Sequence, residues 1–162
     1  MEKMSFEEVY RRNYERIYKA VYLRLLQRED TEDIVADTFI KAYQAYDRFD
    51  PEVSSAATWL NRIAMNTLYD HLRREQRNPV GPMAEDTEYG AEDPELLKLT
   101  DGAAQELYPI LKRLKSEERE LLMLRYGWEL SYREIAEETG GNEVAVAKRV
   151  ERLLKKCREY AG

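Results

Sequence analysis

Apolar residues recur at steps of three and four along most of this chain, the period of helices packed on one side. Phe6, Val9, Tyr10, Tyr14, Ile17, Tyr18, Val21, Tyr22 and Leu25 mark one face of a long first helix, and Ser5 with Glu8 predicts a capping box at its start. Gln27 to Asp30 interrupts that stripe. Asp30 or Thr31 is placed to cap a second helix, with Ile34, Val35, Thr38, Phe39, Ala42, Tyr43 and Tyr46 at its apolar positions. Asp50-Pro51 marks a turn, and Ser54 or Ser55 can cap a third helix whose inner face holds Trp59, Leu60, Ile63, Ala64, Thr67, Leu68 and Leu72. Three such helices suffice for one small core, with no strand signal among them.

The pattern lapses over residues 77–104, where Asn78-Pro79, Gly81-Pro82, Gly90 and Asp93-Pro94 punctuate an acidic stretch. This reads as a flexible linker, with room for a short helix near 95–99. Periodicity resumes near Ala103, and Pro109 is expected to start or kink a helix there. Ser116 precedes a helix through Leu121, Leu122, Leu124, Arg125 and Tyr126 that ends at Gly127. Ser131 and Glu134 form a second capping box, Gly140 and Gly141 supply a stop, and Asn142 can cap a long final helix. The expected fold is all-α: a helical domain over 1–76, the acidic linker over 77–104, and a helix-turn-helix domain over 105–162.

A helix-turn-helix can place its second helix in the DNA major groove, and Lys148 to Arg158 holds six basic residues against the single acid Glu151. The same segment also reads as a surface hairpin with a solvated basic face. The net charge of −6, taken as a total, argues against nucleic acid, but its distribution answers that. Residues 1–76 carry −2, residues 77–104 carry −5, and residues 105–162 carry +1. Local patches decide attraction to phosphate, and most of the acidity lies in the linker.

On the third helix, Arg62, Asn66, Tyr69, Arg73 and Arg77 share one stripe, flanked by Asn61, Asp70 and Arg74. Arg neutralises phosphate, Asn pairs with adenine, and Tyr stacks on an unpaired base. An ordinary solvated face, with a basic end complementing the helix dipole, produces the same pattern. Trp59 falls on the buried period and reads as core. Asp33 and Asp37, one turn apart beside Ala36 and Ile40, suit a partner-binding face or none. No further ligand or base converges on those two acids, so an active site is not expected.

Cys157 and His71 are the only residues of their types, which argues against a disulfide or a zinc site and fits a reducing compartment. No cofactor or metal is implied. No run is long and apolar enough to span a membrane, and the N-terminal residues lack a signal pattern, so a cytoplasmic location is expected.

Three segments together resemble the sigma-70 family of bacterial RNA polymerase sigma factors, in its small extracytoplasmic-function form. They are Thr31 to Tyr43 (TEDIVADTFIKAY), Asp47 to Pro51 (DRFDP), and Thr58 to Arg74 (TWLNRIAMNTLYDHLRR). Leu121 to Tyr126, Leu130 to Ala136 and the basic final helix extend the likeness over nearly the whole chain.

The resemblance implies a transcription initiation factor with no catalytic residues of its own. Its partners would be core RNA polymerase (clamp helices and flap), promoter DNA, and an anti-sigma factor. Asp33, Ala36, Asp37, Ile40 and Lys41 match the part that grips the clamp helices. Ser54, Ser55, Ala56 and Ala57, with Arg62, Asn66, Tyr69, Arg73, Arg74 and Arg77, match the element that melts the −10 region and captures a flipped base. Ser131, Tyr132, Asn142, Glu143, Ala145, Lys148, Arg149 and Arg152 match the reader of the −35 element. The linker matches the segment that threads the polymerase channel.

The chain departs from the family pattern where Ala145 and Ala147 replace a hydroxyl and an amine, which leaves the −35 preference open. The main rival reading is a free-standing helix-turn-helix regulator that uses its first domain to dimerise or sense a signal. It predicts palindromic footprints without polymerase.

Overall fold

The computed structural model describes residues 3–77 and 102–162, with side chains described for 3–76 and 107–162. The expected linker falls mostly outside the described residues, as does the short helix near 95–99. Among the described residues the protein is helical, with no strand. Helix α1 spans Phe6–Leu25, α2 Arg28–Ala45 and α3 Ala56–Arg77, with a single 3-10 turn at Tyr46–Arg48 between α2 and α3. Then come α4 (Gly102–Leu111), α5 (Ser116–Leu122) continuing into a π turn at Met123–Gly127, α6 (Tyr132–Thr139) and α7 (Glu143–Ala161).

Several helix ends form where the capping residues placed them. Ser5 Oγ accepts from the Glu8 amide at 3.3 Å, and Ser55 Oγ accepts from the Thr58 amide at 3.1 Å. Asp50 closes the turn before α3 by accepting the Glu52 amide on its carboxylate. The start of α2 differs from expectation. It begins at Arg28 behind Gln27, which makes no side-chain cap. Thr31 lies inside the helix, its hydroxyl donating to the Gln27 carbonyl at 2.6 Å. Asp30 sits in the first turn, where a negative charge complements the free amides without bonding them.

Two further boundaries move. Helix α4 begins at Gly102, inside the stretch assigned to the linker, and Pro109 lies in its last turn. The proline therefore does not start α4; lying inside the helix without an N–H, it leaves the carbonyl four residues back without its helical bond. The helix before Gly127 closes as a π turn, in which the Trp128 amide reaches the Met123 carbonyl at 2.9 Å.

One apolar core runs through both halves of the molecule. Val9, Ile17 and Val21 of α1 and Leu60, Ala64 and Leu68 of α3 are buried together with Met123, Leu124, Trp128, Ile135, Val146 and Val150. Helix α1 is covered on two sides, by α2 and α3 on one and by α5 and the π turn on the other. This explains why Asn13 and Ala20, which lie off the apolar stripe, are also buried.

Three contacts seat the second half against α1. Gly127 lies so close to α1 that a Cβ there would stand 2.8 Å from Ala20 Cβ and 2.9 Å from Ala20 Cα. Arg119, almost fully buried, donates to the carbonyls of Arg24 (3.1 Å) and Leu114 (2.7 Å). Leu26 ends α1 in the left-handed conformation at φ 53° and is buried among Tyr108, Leu111, Leu114, Leu122 and Leu153. A left-handed leucine costs on the order of 1 kcal/mol, and burial of its side chain offsets that.

Candidate nucleic-acid and polymerase interfaces

Ser131 Oγ accepts from the Glu134 amide at 3.1 Å, and Glu134 accepts from the Ser131 amide at 3.0 Å, closing the capping box at the head of α6. The bond from the Ser131 amide, and after it the Ser131 hydroxyl, holds the Glu134 carboxyl below its ordinary range. Gly140 ends α6 at φ 75°, and Asn142 Oδ1 accepts the Ala145 amide at 2.8 Å to open α7. Arg125 braces the approach to α6, donating to the Leu130 carbonyl at 2.9 Å and lying 4.2 Å over the Tyr132 ring.

Within α7, Val146, Val150 and Leu153 turn inward while Glu143, Ala145, Lys148, Arg149 and Arg152 share the exposed side. A shallow open concavity lies along Asn142, Glu143, Val144, Ala145 and Lys148. Among the described residues, Lys148, Arg149 and Arg152 form no ion pair. Of the residues assigned to the −35 reader, seven lie on the open surface and Tyr132 is half-buried under Arg125.

The stripe on α3 divides. Arg62, Asn66, Arg73 and Arg74 are exposed, whereas Tyr69 is half-buried and packed against the core. Burial, with the charge of Glu120 and a hydrogen bond to it, pushes the Tyr69 phenol far up. Tyr69 thus packs partly into the core instead of standing free on the surface. Arg62 donates to Glu138 of α6, a bond that holds its guanidinium more firmly protonated. Arg73 pairs with Asp70. The side chain of Arg77 lies outside the described residues.

Asn61 beside the stripe accepts from Arg16, which also donates to Asn13 Oδ1 at 2.8 Å. Burial lowers the Arg16 pKa, opposed by the charge of Glu129. The loop ahead of α3 places Ser55 as cap and leaves Ser54, Ala56 and Ala57 half-buried, with Val53 81% exposed at its tip. Trp59 packs against Phe49 (4.7 Å between ring centroids) and Tyr46, the core role its spacing indicated.

On α2, Asp33, Ala36, Asp37, Ile40 and Lys41 lie on one open side, opposite the buried Thr31, Ile34, Val35, Thr38 and Ala42. Lys41 sits 3.3 Å from Asp37 and donates to Thr67 Oγ1 at 3.3 Å. Ile40 is 56% exposed, and Tyr43 at 68% extends the same open face. The periodic pattern counted Tyr43 among the apolar positions of α2. The three-residue step from Ile40 was the signal that places it outside.

Among the described residues one group of metal-type ligands converges: Asp30, His71 and Glu75, with His71 Nε2 3.1 Å from Glu75 and 4.0 Å from Asp30. These are the residues that could hold a cation. Contact of the His71 ring with two neighbouring carboxylates, one of them a turn away on the same helix, accounts for their grouping equally well. No helix among the described residues is long and apolar enough to cross a membrane.

Comparison with known proteins agrees with this layout. Residues 9–78 match sigma-70 region 2, and residues 104–157 match sigma-70 region 4. The RNA polymerase sigma factor YlaC of Bacillus subtilis is 32% identical over 84% of this chain and 80% of its own length. The ECF RNA polymerase sigma-E factor of Escherichia coli is 33% identical over 76% of this chain and 69% of its own.

Two solved structures share the fold. CnrH, in complex with the cytosolic domain of CnrY, aligns at TM-score 0.58 and 25% identity over 95% of this chain and 85% of that one. The sigma factor RpoE of Bartonella quintana, in complex with the anti-sigma factor NepR, aligns at 0.65 and 22% over 96% and 95%. The chain belongs to the sigma-70 family of RNA polymerase sigma factors, in the extracytoplasmic-function group.

Proposed function

We propose that this protein directs RNA polymerase to promoters through three separate surfaces. The open side of α2, built from Asp33, Ala36, Asp37, Ile40 and Lys41 with Tyr43 added, meets the polymerase clamp helices. The loop 53–57 and the α3 stripe engage the −10 strand, where holding an extruded base offsets the few kcal/mol that unpairing costs. The cationic side of α7 lies on −35 duplex, with Arg149 and Arg152 neutralising phosphate or reading base edges. The two helical domains follow the expected division near residues 76 and 105, with the second reaching back to the start of α4 at Gly102, and the acidic segment joins them.

The observation that carries this reading is the pairing of two matched sigma regions, in family order, on one chain. A free-standing regulator would have no use for the first of them. Nucleotide chemistry belongs to the polymerase, and the protein adds no catalytic group or cofactor. It acts in the cytoplasm, and an anti-sigma protein is a fitting antagonist, as the complexes of CnrH and RpoE suggest. Run-off transcription with purified bacterial core enzyme over a promoter library tests the proposal. Start sites that depend on the added protein are expected. No polymerase retained in a pull-down, and no directed transcript, would overturn it.

A further inference from the structure

The group at Asp30, His71 and Glu75 joins two helices. His71 and Glu75 stand four residues apart on α3, the step that turns two side chains to the same side, and Asp30 reaches them from the first turn of α2. Their ligand atoms all lie within 4.8 Å of one another. Atoms about 2.0–2.2 Å from a zinc ion at tetrahedral angles stand roughly 3.3–3.6 Å apart. The 3.1 Å from His71 Nε2 to Glu75 and the 4.0 Å to Asp30 bracket that spacing, so small side-chain turns close the set around one cation.

The atom that points to a ligand is His71 Nε2. It is buried from solvent and, among the described residues, has no hydrogen-bond partner, although Glu75 Oε1 lies 3.1 Å away. If Nε2 carries a hydrogen, that hydrogen misses the carboxylate. If it carries a lone pair, the pair faces the oxygens of two acids. Either way the contact lacks a positive charge between the atoms, and a buried polar atom left unpaired costs stability. A divalent ion bonded to all three groups removes both faults. Asp30 and His71 are half-buried and Glu75 is exposed, so an ion can enter from solvent.

We propose that Asp30, His71 and Glu75 form a binding site for a divalent transition-metal cation of the zinc type, which ties the first turn of α2 to the end of α3. Imidazole with carboxylates suits zinc and its neighbours, whereas magnesium keeps to oxygen ligands. One cysteine and one histidine far apart in sequence argue against zinc only while those two residue types are counted; here the fold brings carboxylates to the histidine. The ion is structural and takes part in no reaction. The site stands apart from the reading of α2 and α3 as polymerase and promoter surfaces.

The test takes the full chain, stripped with a chelator, and adds Zn2+ while the imidazole proton resonances are followed by NMR. His71 is the single histidine, so these resonances report one ring. Shifts that saturate at one ion per chain are expected, with none from Mg2+ at the same concentration. Competition against a chromophoric zinc indicator then gives the affinity. Glu75→Gln, at an exposed position, should weaken zinc binding about ten-fold or more, as should Asp30→Asn and His71→Ala; ten-fold is the lower end for residues that merely support a metal ligand. Zn2+ at roughly 100 times its dissociation constant should raise the melting temperature by about 5 °C or more in the parent, and not in these variants.

Cys157→Ser is the control, because the half-buried thiol is the other zinc-type ligand of the chain; it is expected to leave the affinity unchanged. Resonances unmoved by Zn2+, equal shifts from Mg2+, affinity lost in Cys157→Ser, or affinity kept in both Glu75→Gln and Asp30→Asn would each overturn the site.

Discussion

The two surfaces assigned to DNA are in opposite conditions. On α7, Lys148, Arg149 and Arg152 form no ion pair among the described residues, and the helix is fixed from behind by Val146, Val150 and Leu153. On α3 the leading arginine is taken by Glu138, the central tyrosine is half-buried against the core, and Arg73 pairs with its neighbour Asp70. A duplex offers phosphates without rearrangement, so its reader can stay permanently ready. The contrast teaches that similar cationic helix faces, in one chain, can differ in availability through packing alone.

The largest effect is expected in the scaffold that sets both surfaces. Ile17 of α1 is fully buried in the core shared by the two halves. Ile17→Ala should cost about 2–5 kcal/mol and lower the melting temperature of a single calorimetric transition. Two separate transitions in the unsubstituted protein would break the comparison, because the surfaces would then hang from bodies that fold independently. Next, Arg149→Ala with Arg152→Ala should weaken −35 duplex binding by about 1–3 kcal/mol per base-reading side chain, and reduce the log–log salt slope by about one for each phosphate no longer neutralised. An unchanged salt slope in fluorescence titrations would remove both residues from the DNA-binding surface.

A smaller effect is expected at the head of α6. Ser131→Ala should cost about 1 kcal/mol, the usual scale for a missing cap. Glu134 is held below its ordinary range in the folded protein, mainly by the Ser131 amide and then by the hydroxyl. Its contribution is therefore fully present above the unfolded carboxyl pKa and is lost as pH falls through the lower, folded value. Thermal melts from pH 7 to pH 3 should show Ser131→Ala losing less stability on acidification than the parent. Parallel curves would show that this carboxylate is indifferent to the hydroxyl.

Much of this was legible from residue spacing. The buried face of α3, the caps at Ser5, Ser55, Ser131 and Asn142, and the left-handed stop at Gly140 all follow from local chemistry that a short window contains. The union of the halves was not legible. The side of α1 that meets the second half carries Ala20 and the backbone of Arg24, which are small or main-chain features with no apolar period to betray them. Tyr69 shows the same gap. Its spacing puts it in line with Arg62 and Arg73, but its ring packs against the core shared by the two halves, which spacing alone does not show. At α2, the hydroxyl of Thr31 suggested a cap, yet it bonds a carbonyl one turn back instead, which a threonine in a helix interior commonly does.

Arg119 reaches into α1 for a main-chain oxygen, an acceptor that every amino acid supplies. Position 24 can therefore drift without weakening the clasp, whereas position 119 cannot drift, so the two would leave no paired trace in a collection of relatives. A coupling of this kind is invisible to covariation and becomes apparent only when the atoms are laid side by side.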